Sequence, residues 1–119
     1  MHSILYNVKL ELKSDRVEVR QEQALLCGLI INELLINIYK HAFLEDDEEG
    51  KIQILLTHQD DMVQLEVSDN GVGLPEDFKF EKGESIGMWI VEELLKKLNA
   101  QIKVEGVGGA RFMISFSSE

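Results

Sequence analysis

Glu33, Asn37, Lys40 and His41 recur at i, i+4, i+7 and i+8 within NELLINIYKHAF, residues 32–43. At about 100° per residue this spacing gathers all four on one stripe of a helix. The rest of this helical stretch is largely apolar: Leu29, Ile30, Ile31, Leu34, Leu35, Ile36, Ile38, Tyr39, Ala42 and Phe43 occupy the other faces. A carboxylate, an amide and two potential cations are tolerable on such a helix where they line a wet or ligand-filled cleft, since unpaired burial costs roughly 1–3 kcal/mol per polar group. The same spacing also suits a solvated stripe on an amphipathic surface helix. The segment alone leaves both readings open.

Two further stretches have chemical potential. In LEVSDNGVGL, residues 65–74, a strand runs into Asp69-Asn70-Gly71. One reading is a turn, because Asn and Gly accept positive φ. The other places the Asp69 carboxylate in a pocket while Gly71 and Gly73 let the backbone pass close to a flat ligand. Such a carboxylate is an acceptor suited to the amino group of adenine and opposed to the carbonyl of guanine. In GESIGMWIV, residues 83–91, a glycine-containing loop enters a helix, supplying free N–H groups and a positive dipole end for a phosphate. Its plainer reading is a loop with Ser85 as N-cap.

These residues need elements to hold them. YNVKLEL and RVEVR alternate about Lys13-Ser14-Asp15, predicting a hairpin of two half-buried strands. Residues 22–43 read as a long helix that ends at the acidic loop LEDDEEG, a solvated segment. KIQILLTHQ and MVQLEVSD predict a second hairpin across Asp60-Asp61. A helix from about Ser85 through IGMWIVEELLKKLNA carries lysines in its last turns, where they complement the helix dipole. QIKVEGV and ARFMISFS close the chain as strands around Gly108-Gly109. The order ββαββαββ implies a two-layer α/β sandwich, its helices on one face of a mixed, mainly antiparallel sheet.

Composition sets the context. With 119 residues, 45% hydrophobic content and one proline, the chain reads as one domain, residues 1–119, with a core of its own. A formal charge of −10 argues against nucleic acid or anionic lipid as partner, because those require clustered cations. The single cysteine, Cys27, lies in LLCGLII and reads as a small buried hydrophobe. No uninterrupted apolar run reaches the roughly 18 residues of a membrane span, so a cytoplasmic protein without membrane insertion is expected.

Taken in order, the motifs resemble the catalytic, ATP-binding domain of sensor histidine kinases, in the superfamily that includes DNA gyrase, Hsp90 and MutL and has the Bergerat fold. NELLINIYKHAF resembles the N box, DNGVGLP the first glycine box, SIGMWIV the second and GGARFMISF the closing strand. The combination with a short lid, PEDFKFEKGE, is most similar to the compact-lid subgroup often associated with blue-light and other cytoplasmic sensors. The resemblance implies that Asn37 coordinates Mg²⁺ bridging the phosphates of ATP and that Glu33 supports a metal-bound water or acts as a polarising base. It implies Lys40 at the phosphates with His41 beside them, and Asp69 on the adenine amino group. Gly71, Gly73 and Gly87 would shape the pocket, and Ser85, Ile86 and Met88 fall with Gly87 in the second box. The nucleophile, a histidine on a separate dimerisation domain, comes from elsewhere, and a response regulator follows. An isolated domain of this kind is expected to be a monomer.

The chain departs from that pattern in places. Ile38 and Tyr39 are bulkier than is usual, Trp89 follows the second glycine box, and Ala110 stands where a threonine is expected. None of His2, His41 and His58 resembles a phosphoacceptor, so the expected role is that of a catalytic domain acting on a separate acceptor. Two alternatives share the boxes: an anti-sigma-type serine/threonine kinase and a nucleotide-gated interaction module without chemistry. A gyrase-like clamp fits less well, as it needs a transducer domain and a longer lid.

Overall fold

The structure, a computed structural model, describes residues 8–41, 50–74 and 86–119, without the side chains of Lys40, His41 and Ile86. The elements are β1 (Val8–Ser14), α1 (Gln21–His41), β2 (Gly50–Gln59), β3 (Met62–Asp69), α2 (Ile86–Leu98), β4 (Gln101–Glu105) and β5 (Arg111–Ser117). The strands form one sheet in the order β1-β2-β3-β5-β4. Only the β1–β2 pair is parallel, and the others are antiparallel. This is the mixed sheet with two packed helices that the element pattern implied.

Strand alternation builds the interior. Ile52 and Ile54 of β2, Val63, Leu65 and Val67 of β3, and Phe112, Ile114 and Phe116 of β5 are buried on one face. Ile30, Leu34 and Ile38 of α1 and Met88, Val91 and Leu95 of α2 join them, each set at the helical spacing of a buried stripe. The two helices also pack on each other. On the opposite face, polar side chains meet across strands: the Arg111 guanidinium reaches Glu66 at 3.0 Å and Glu105 at 3.5 Å.

The predicted first hairpin does not form. The residues after Ser14 make no second strand, and β1 instead pairs in parallel with β2, Leu10 opposite Ile52 and Leu12 opposite Ile54. The alternation in RVEVR is still used, because Val17 and Val19 are half-buried against the core. They pack as a connector rather than a strand. A parallel neighbour requires a long crossover, and α1 supplies it.

Local chemistry sets the helix ends. The Gln23 side chain accepts from the Arg20 N–H at 3.1 Å, half of a capping box, while its Nε2 donates to the Ser117 carbonyl at 2.9 Å. That buried amide ties the start of α1 to the end of β5. The second helix stops at Leu98, short of the expected Ala100. Asn99 takes a left-handed conformation, φ 54°, and the Asn99 and Ala100 N–H groups bond back to the Lys96 and Leu95 carbonyls in a Schellman closure. Contrary to the sequence expectation, α1 is long and apolar enough over Gln21–Tyr39 to match a membrane span by length and composition. Its buried stripe packs on the sheet as the core helix of this domain.

Candidate functional site

The end of β3, the C-terminal part of α1 and the start of β5 converge on one cleft. Asn37, Ile38, Asp69, Gly73, Leu74, Ala110 and Phe112 line it. Two of these, Asn37 and Asp69, bring side chains that hydrogen-bond strongly. The remainder are apolar or glycine. The cleft measures about 30 Å³, room for a pair of waters rather than a purine. Larger hollows lie beside Gln64 and Lys103 on the open sheet face and beside Lys96 and Asn99 at the end of α2, but neither contains a buried unpaired polar atom.

Asp69 is the last residue of β3 and is 8% exposed. Its Oδ1 accepts two N–H groups, from Gly71 at 2.8 Å and from Ala110 at 3.2 Å. Its Oδ2 is buried with no hydrogen-bond partner among the described residues. The first bond spans two residues, as in an Asx turn, so the turn expected of Asp-Asn-Gly is real and occupies one carboxylate oxygen. It leaves the other oxygen over. A buried acceptor of an anionic group without a donor costs a few kcal/mol, and such atoms call for an explanation. Asn70 anchors the loop on its other side, its Oδ1 accepting from the Lys51 N–H at 2.8 Å and its own N–H donating to the Lys51 carbonyl at 3.1 Å.

On α1, Asn37 faces the cleft and Glu33, one turn earlier, is half-buried on the same stripe. Lys40 and His41 lie in the last turn of α1, at the end nearest Asn37 in sequence. Gly73 lines the cleft with φ 83°, and Gly71 contributes its N–H to Asp69. Ile86 and Gly87 begin α2, and Met88 is 2% exposed, packed into the core. Ser85, the lid segment 75–84 and the acidic residues 44–49 lie outside the described residues. The structure thus brings Asn37, Asp69, Gly71 and Gly73 together. His58 is in β2, as expected, remote from the cleft lining, with Nδ1 accepting from the Glu18 N–H at 3.4 Å.

A metal would have few protein ligands here. Among the described residues no three His, Cys, Asp or Glu side chains gather. The Asn37 carboxamide oxygen is a hard donor that fits Mg²⁺ when phosphate oxygens and water supply the other positions, the usual arrangement for that ion.

Sequence reasoning missed one group of residues: the β4–β5 turn as part of the site. Ala110 contributes its N–H and its methyl to the cleft, and Gly106 and Gly109 touch the loop after Asp69. The resemblance already sets Ala110 near the nucleotide in place of a threonine, and the remaining signal is the glycine density of GVGGA, which reads as a turn before the closing strand.

Comparison with known proteins agrees with this geometry. The family described as histidine kinase-, DNA gyrase B- and HSP90-like ATPases matches residues 22–119. Blue-light-activated histidine kinase 2 of Erythrobacter litoralis is 32% identical over 98 residues, 82% of this chain and 28% of that protein. The sensor histidine kinase PdtaS of Mycobacterium tuberculosis is 36% identical over 67 residues, 56% of this chain and 13% of its own length. The solved histidine kinase domain of the Erythrobacter litoralis EL346 blue-light-activated kinase superposes with a TM-score of 0.84 at 29% identity, covering 94% of this chain and 52% of that one. The chain therefore spans little more than a quarter of the first of these relatives. From fold, cleft and likeness together, the chain belongs to the histidine kinase-, DNA gyrase B- and HSP90-like ATPase family and matches the ATP-binding catalytic domain of histidine kinases.

Proposed function

We infer that this domain binds Mg-ATP in the Asn37–Asp69 cleft and transfers the γ-phosphoryl group to a histidine on a separate helical dimerisation domain of a two-component system. The observation that carries the reading is the divided carboxylate of Asp69. One oxygen is spent on two backbone N–H groups, and the other is buried without a donor beside a cleft. The exocyclic amino group of adenine supplies the missing donor. The narrowness of the cleft means that the base enters by displacing its walls, of which Leu74 belongs to the loop beside the lid segment.

Along α1, Asn37 would hold the Mg²⁺, Glu33 would orient a water or polarise the reacting group, and Lys40 and His41 would meet the phosphates. The second glycine box, Ser85, Ile86, Gly87 and Met88, binds the same phosphates, with the N-terminal end of α2 at Ile86 and Gly87 favouring an anion. The metal ion neutralises phosphate charge when bound. The protein's own share is positioning and electrostatics, which suffices for phosphoryl transfer when the nucleophile is brought by another domain. Residues 1–119 act as one cytoplasmic catalytic domain, a monomer when isolated, and the phosphohistidine formed on the separate acceptor serves a response regulator. The likeness to sensor histidine kinases supports this assignment.

The test is incubation with γ-labelled ATP and candidate dimerisation domains, followed by acid and base treatment. Label on the acceptor that is acid-labile and base-stable is phosphohistidine and is the expected result. Acid-stable label on a partner protein assigns a serine/threonine kinase instead. Binding of ATP without transfer to any acceptor leaves a nucleotide-gated module.

A further inference from the structure

The divided state of the Asp69 carboxylate depends on the turn between β4 and β5 as well as on its own loop. The Asp69 N–H donates to the Ala110 carbonyl at 2.9 Å, and the Ala110 N–H returns to Oδ1 at 3.2 Å. Further along, the Leu74 N–H donates to the Gly106 carbonyl at 3.2 Å. Residues 69–74 are thus attached at both ends to residues 106–110.

Side chains at three positions are incompatible with that attachment. A Cβ on Gly109 falls 2.0 Å from the Asp69 carbonyl oxygen, and one on Gly73 falls 2.2 Å from the Gly106 carbonyl oxygen. A Cβ on Gly106 falls 2.7 Å from Leu74 Cβ. Gly108 behaves differently: its φ is +74°, but a Cβ there meets nothing within 4 Å. Gly108 serves the turn, Gly109 at φ +116° serves both turn and contact, and Gly106, outside the positive-φ region, serves the contact.

We propose that Gly106 and Gly109 are positioning residues for the nucleotide site, admitting the Asp69–Leu74 backbone so closely that Oδ1 is held on two N–H donors and Oδ2 remains the reading atom. The consequence for nucleotide rests on the adenine reading of Asp69, but the clamp itself does not. The Gly71 bond is local and survives movement of the loop. The Ala110 bond crosses to β5 and survives only if the two backbones stay in register. With both in place the two carboxylate oxygens are no longer equivalent, so the site meets its ligand with the acceptor already oriented and loses less entropy on binding.

The test uses the whole 119-residue chain with Gly109→Ala, Gly106→Ala and, as control, Gly108→Asn, whose Cβ meets nothing within 4 Å and whose side chain tolerates the left-handed backbone. Amide hydrogen exchange is followed by NMR and ATP affinity by calorimetry. In Gly109→Ala and Gly106→Ala, exchange at Leu74 and Ala110 should accelerate by about tenfold or more while Val67 and Ile114 in the central strands keep wild-type rates. ATP affinity should fall by about tenfold in the same two variants, and Gly108→Asn should stay within about twofold on both measures. If Gly109→Ala does not fold, Gly106→Ala, whose new Cβ comes nearest to Leu74 and which lies outside the positive-φ region, decides the matter. Wild-type exchange at Leu74 and Ala110 in the clash variants, or an equal loss in Gly108→Asn, overturns the proposal. If the wild-type protein binds no ATP, the adenine reading fails while the exchange data still judge the clamp.

Discussion

Asp69→Asn separates the two roles of this residue, because the substitution changes one oxygen and can keep the other. The Oδ1 position receives N–H groups from Gly71 and Ala110, so the amide must place its oxygen there, and the NH₂ takes the site of Oδ2. The turn survives and the free acceptor becomes a donor. A hydrogen bond to a charged acceptor contributes about 1.5–3 kcal/mol, and opposing two donors removes all of it. At about 1.4 kcal/mol per factor of ten, ATP affinity should fall roughly ten- to a hundredfold. GTP presents a carbonyl where ATP presents an amino group, so it should lose nothing and gain slightly. The ATP-to-GTP preference, expected to be at least about tenfold in the wild type, should shrink or invert. Titrating both nucleotides into both proteins by calorimetry measures this, with thermal unfolding as a check that the fold persists. An unchanged ratio in a folded variant would falsify the adenine contact and leave Asp69 as a turn residue alone.

Asn37→Ala should weaken Mg-ATP much more than metal-free ADP, and equal losses for the two in calorimetry would remove the metal assignment. The Cys27 thiol is pushed up to about 11 by burial, so alkylation at pH 8 should be on the order of a hundredfold slower than for a free cysteine, as read by mass spectrometry. An acid whose folded pKa is raised stabilises the fold below its unfolded pKa and loses that contribution as pH climbs towards about 11. The urea midpoint should therefore fall more steeply above pH 9 for the wild type than for Cys27→Ala. Gln23→Ala deletes both the cap on Arg20 and the bond to the Ser117 carbonyl, and should cost about 1–3 kcal/mol in urea unfolding without changing nucleotide affinity.

Much of this protein follows from local sequence. The alternation of KIQILLTHQ and MVQLEVSD requires a polar and an apolar face, and β2 and β3 follow it. The spacing of Ile30, Leu34 and Ile38 commits α1 to a core, and the same helix rotation presents Asn37 to the cleft. Asp-Asn-Gly specified its turn through a side chain bonding two residues ahead, which needs no distant partner. What sequence could not supply was the choice among partners of equal local merit. Val17 and Val19 alternate as a strand does, yet the backbone edge beside them went to β1, whose parallel pairing with β2 depends on a crossover through α1. Nor could sequence tell which oxygen of Asp69 would be occupied. That was decided by Ala110, 41 residues away, brought within 3.2 Å because β3 and β5 are neighbours and because glycines at 73, 106 and 109 let two backbones approach where any side chain would hold them apart.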